Sequence, residues 1–130
     1  MELPPALVIH GLPHARLARS FGRPVTLLSA PGAALFAGCG WWRAVVEAAG
    51  AGPDVLDCGD APGRALEALA VGCRILVLRP GPSFAAIMER AVLYDATVLP
   101  ERPPALDLAR RHRPGRVEAW LNGDSAAGFG

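Results

Sequence analysis

The sequence predicts a single-domain α/β protein: an open parallel sheet of about five strands with helices on both faces, in the flavodoxin-like or Rossmann-like manner. Short runs of Val, Ile and Leu recur along the chain, each of strand length and apolar on both faces. Strands read this way when both sides of their sheet are covered. Between the runs lie segments with one apolar stripe each, so strand and helix alternate five times in series. Composition bounds the same answer. The 130 residues are 52% hydrophobic and 19% charged with a net charge of +1, which describes one globular domain and excludes a disordered chain.

The first strand is Ala6-Leu7-Val8-Ile9, and a helix over 12–21 follows, with Pro13 in its first turn and Gly22 as its stop. Val25-Thr26-Leu27-Leu28 is the second strand. The longest helix then runs over 33–49 and ends at Gly50. Val55-Leu56 is the third strand, and the helix over 62–71 carries Leu66, Leu69 and Ala70 as its stripe before Gly72. Ile75-Leu76-Val77-Leu78 is the fourth and most apolar strand, followed by a helix over 83–93. Thr97-Val98-Leu99 is the fifth, with a helix over 104–112 after it. Residues 116–121 alternate Val117, Ala119 and Leu121 with Glu118 and Trp120, which suits an extra edge strand or a last helical turn. The domain is expected over 1–121, with 122–130, rich in Gly, Ala and Ser, as a flexible tail. Right-handed crossovers give 2-1-3-4-5 as the expected strand order.

Several function classes fall away on composition. All 13 basic residues are arginine, so a P-loop lysine, a pyridoxal Schiff base and a lysine-dependent aldolase are excluded. Cys39, Cys58 and Cys73 are too far apart for a Cys-x-x-Cys knuckle or redox pair, and three thiols fit a reducing, cytoplasmic setting. The N-terminus lacks the basic and apolar regions of a secretory signal. Residues 24–42 are uncharged, but Pro31-Gly32 interrupts them, so no membrane partner is expected. The Arg110, Arg111, His112, Arg113 and Arg116 cluster stands alone in a chain of net charge +1, so nucleic acid is not expected either.

In a parallel α/β sheet ligands bind at the carboxyl ends of the strands, where helix N-termini present free N–H groups. The residues gathered there by the predicted elements are Ser29, Gly32, Asp57, Asp60, Gly63, Arg79 and Ser83. They are the expected ligand-binding set. Arg79 suits an acidic group, and the two aspartates suit hydroxyls, so the expected guest is a small anionic or nucleotide-like metabolite. No metal and no catalytic residue is assigned, and any cofactor is unknown. The plainer reading of the same residues is tight turns, with Asp60 and Ser83 capping the helices they precede.

Three local patterns have both a chemical and a simpler structural reading. Gly81-Pro82-Ser83-Phe84-Ala85 approaches the Gly-x-Ser-x-Gly elbow of α/β-hydrolases, with alanine in place of the last glycine, which makes a small hydrolase the third reading. His10 and His14 have zinc-like spacing, but Pro13 intervenes and His10 should end a strand. Gly38-Cys39-Gly40 lies within the long helix and serves close packing there.

Trp41 and Trp42 point about 100° apart on a helix, so one indole is left over once the other covers the sheet. That surplus, with Phe36, points to a homo-oligomer, most simply a dimer, through the helix carrying Trp41 and Trp42. The expectation is therefore a binding module, with a structural or interaction protein as the alternative.

Overall fold

The computed structural model describes residues 2–124. Its elements run β1(Ala6–Val8), α1(Leu12–Ser20), β2(Thr26–Leu28), α2(Ala33–Phe36), α3(Cys39–Ala49), β3(Asp54–Asp57), α4(Pro62–Ala70), β4(Ile75–Val77), α5(Phe84–Val92), β5(Thr97–Leu99), β6(Ala105–Asp107) and α6(Arg116–Leu121). All six strands are parallel and form one sheet in the order β5-β4-β3-β2-β1-β6. The open parallel α/β class is the one the sequence indicates.

The order and layering differ from the flavodoxin-like expectation of 2-1-3-4-5 with helices on both faces. Each strand from β1 to β5 is laid on the same side of the one before it, and right-handed crossovers repeated in one direction put every helix on one face. The buried side chains bear this out. Ala15, Trp42, Val46, Leu69, Ile87 and Trp120, drawn from five helices, all lie in one cluster with Leu7, Leu27, Leu56, Leu76 and Leu106 of the strands. The opposite face holds Ala6, Val8, Leu28, Val55, Ile75 and Val77, backed by Leu3, Leu99 and Ala105 and by no helix. Side chains alternate between faces along each strand, so the sheet presents mostly leucine to the helices and mostly alanine and valine to the other side. Leu3, before β1, packs on that face together with Leu99 and Ala105 of the edge strands.

Four further findings concern single elements, the first two of them corrections. The helix expected over 33–49 is two, because Gly38 at φ +92° breaks it between α2 and α3. Where a helix was expected over 104–112, Ala105–Asp107 is an edge strand paired with β1. The segment 116–121, read as an edge strand or helical turn, is helix α6; Val117, Trp120 and Leu121 give it the spacing of a buried helical stripe. Of the expected tail, 125–130 lies outside the described residues.

Residues 100–104 join β5 to β6, the two edges of the sheet. Six flat strands would hold their edges about 24 Å apart. Leu99 and Ala105 are six residues apart and can span at most about 21 Å, so the sheet must curl towards its helix-free face. All six strands accordingly meet in the second cluster, on the inside of the curl. Among the described residues no helix is long and apolar enough to cross a membrane.

Candidate functional site

At the carboxyl ends of β2 to β5 the chain encloses a cavity of about 740 Å³. That is within the size range of small-molecule sites. Its apolar wall includes Pro31, Leu35, Val77, Pro80 and Pro100, and its charged groups are Asp57, Arg79, Glu101 and Arg102. Two glycines shape the floor. Gly32 and Gly59 both hold positive φ, near +66° and +59°, and a β-carbon on Gly59 would sit 3.0 Å from Leu35 Cδ1.

The residues expected from the sequence divide by position. Gly32, Asp57 and Arg79 line the cavity. Asp60 and Ser83 line an adjoining cleft of about 60 Å³, which Arg79 shares. Ser29 is buried below: its Oγ accepts the Asp57 N–H at 2.9 Å and donates to the Ala30 carbonyl at 3.1 Å. Gly63 sits in the first turn of α4 and lines neither space. Neither expected cap forms. Ala61 is the N-cap of α4, and Ser83 holds the N-cap position of α5 without a side-chain bond. Asp60 faces Arg79 instead, at 3.4 Å, in an ion pair with both side chains about two-thirds exposed or more.

Asp57 is occupied structurally. Its Oδ1 accepts the Gly59 N–H at 2.7 Å, and its Oδ2 accepts Arg102 Nη1 at the same distance. Arg102 also donates from Nη2 to the Ser29 carbonyl at 2.9 Å. The Asp57 side chain is 6% exposed and that of Arg102 is 26% exposed, so this pair neutralises itself inside the wall. The charges left for a guest are Arg79, held only by its exposed partner, and Glu101, which has no ion-pair or hydrogen-bond partner among the described residues. Glu101 and Arg102 lie outside the binding set expected from the sequence. Arg102 reaches a carboxylate 45 positions away, and no local pattern encodes that.

The histidines collect elsewhere, at the carboxyl ends of β1 and β6. His10 Nε2 lies 2.8 Å from Asp107 Oδ1, His112 Nε2 lies 2.7 Å from the Asp107 carbonyl, and His14 Nδ1 accepts the His10 N–H at 3.2 Å. Burial alone would raise the Asp107 carboxyl, but the Ala109 N–H, His10 and Arg110 together hold it below the ordinary aspartate value. No His, Cys, Asp or Glu group with metal-binding geometry occurs among the described residues. With His10 and His112 engaged at Asp107 and His14 at the His10 N–H, no histidine is bonded to the serine of the elbow-like motif. The three thiols are buried and unpaired. Compared with known protein families, curated proteins and solved structures, the chain shows no match.

Proposed function

We propose that the protein binds a small anionic, nucleotide-like metabolite at the carboxyl ends of its strands. The observation that carries this reading is the cavity of about 740 Å³ in which Arg79, paired only with the exposed Asp60, and Glu101, without an ion-pair or hydrogen-bond partner among the described residues, face proline and aliphatic walls. Arg79 receives the acidic group and Glu101 accepts hydrogen bonds from hydroxyls, the use to which carboxylates are put on ribose. Pro31, Leu35, Pro80 and Pro100 offer flat apolar surfaces to a ring. A ligand with only a phosphate would meet Glu101 as a like charge, so the reading favours a guest that carries hydroxyls as well.

The test is thermal shift with adenosine monophosphate and simple sugar phosphates at millimolar concentration. Ligand that binds only the native state raises the melting temperature. Arg79→Ala should reduce the shift, and Glu101→Gln should reduce it for hydroxyl-bearing ligands more than for inorganic phosphate. A shift untouched by Arg79→Ala removes the reading.

A second reading, a homo-oligomer through the α2–α3 region, draws on Phe36, which is 72% exposed. The tryptophans themselves are spent internally. Trp42 is fully buried with its Nε1 donating to Asp54 Oδ1 at 3.1 Å, and Trp41 packs against the core. Sedimentation at micromolar concentration decides it: a 13.6 kDa species rejects association.

A further inference from the structure

Residues 100–104 separate the rim cavity from a second cavity of about 560 Å³, lined on its far side by Leu3, Pro4, Ala6 and Trp120. Pro100, Glu101 and Arg102 are walls of both. Among the described residues the main chain of this connector makes no hydrogen bond to main chain elsewhere, and three of its five residues are prolines without an N–H to give. What ties it down by hydrogen bonding is one side chain. Arg102 grips Asp57 Oδ2 at 2.7 Å, at the end of β3, and the Ser29 carbonyl at 2.9 Å, just past the end of β2.

We propose that residues 100–104 are a strap whose release is governed by the Arg102 clasp, and that release joins the two cavities into one cleft. The strap is a segment that can leave while the strands remain paired, because it contributes nothing to the ladders. Opening requires one guanidinium to exchange its two acceptors for water or for the acidic group of a guest. The three prolines limit the conformations the released strap can adopt, which favours reclosure. This gate regulates the rim site, and so it rests on the binding reading for its purpose, though not for its geometry.

Cleavage by a glutamate-specific protease tests it on the full chain, because Glu101 lies within the strap while Glu47, Glu67 and Glu89 lie in helices α3, α4 and α5. Arg102→Gln should raise the cleavage rate after Glu101 at least tenfold, with the helical sites unchanged. Because that variant strands a buried carboxylate, the double variant Arg102→Gln/Asp57→Asn is measured beside it, and Arg102→Lys should restore much of the protection. No rise at Glu101 in the double variant, or an equal rise at Glu47 and Glu67, overturns the proposal. The comparison needs no ligand. Failure of adenosine monophosphate to raise the wild-type melting temperature counts against the binding reading alone.

Discussion

Arg19 lies against Gly52 so closely that a β-carbon on the glycine would fall 2.3 Å from Arg19 Nη1. The same guanidinium donates to the Val25 carbonyl at 3.0 Å, which fixes it beneath the loop before β3. Gly52 also holds φ +148°, a conformation that side chains of L residues rarely adopt. Gly52→Ala should therefore destabilise the fold by about 1–3 kcal/mol. Urea denaturation measures it, and repeating the substitution in an Arg19→Ala background should return the steric part while leaving the backbone part. Equal costs in both backgrounds would show that Arg19 is not the obstacle.

Val77 is 2% exposed, on a strand paired on both sides, and faces the interior of the curl. Val77→Asp would bury a carboxylate without a designed partner, and soluble folded protein should be lost. A cooperatively melting, soluble variant would mean that the helix-free face is open to water.

Trp120 anchors α6 to the sheet through Nε1, which donates to the Ala6 carbonyl at 2.8 Å in a buried setting. Trp120→Phe keeps most of the ring and removes the donor, at an expected cost of about 1–3 kcal/mol. A cost below the error of a denaturation curve would show that the carbonyl finds another partner.

The thiols set an alkaline limit. Burial, reinforced by Asp54, pushes Cys73 up to about 12, and burial also pushes Cys58 and Cys39 upward. Their ordinary value is near 9, so between pH 9 and 12 the unfolded chain binds fewer protons than the native one, and stability falls as pH rises. Wild type should lose stability from pH 9 to 11, and Cys73→Ala should lose less over the same interval. Parallel curves would remove the thiol from the account.

Asp107 sets the opposite slope. Its folded value is lowered, so its contribution is present above the ordinary carboxyl value near 3.8 and fades as pH falls below it. The stability difference between wild type and Asp107→Asn should shrink between pH 5 and 3. A difference that stays constant to pH 3 would argue that the His10 contact carries no charge dependence.

Strands β1 to β5 were readable because Ala6-Leu7-Val8 and Ile75-Leu76-Val77 are apolar at every position, which is a local property. Their order was not. A helical crossover of given length serves a neighbour on either side equally well, so the one-sided layering is decided by packing of leucine against helices and not by any single segment. Strand β6 escaped because Ala105-Leu106-Asp107 offers only one fully buried residue and follows two prolines. At the site, Gly32 and Arg79 were legible from their turns. Asp57 was legible by position but not by role, since its engagement with Arg102 depends on a contact between distant parts of the chain.

The succession β1 to β5 also bears on folding. Each strand from β2 to β5 lies beside the one before it in sequence, so most of the sheet is built from sequence-local pairings, the kind that favours rapid folding. The sixth strand has no such neighbour: it pairs with β1, to which the Trp120 bond of the following helix also reaches, joining groups 114 positions apart. Without β6, that edge of Ala6–Val8 would stand unpaired, and this is the surface on which a chain cut before Ala105 is expected to self-associate.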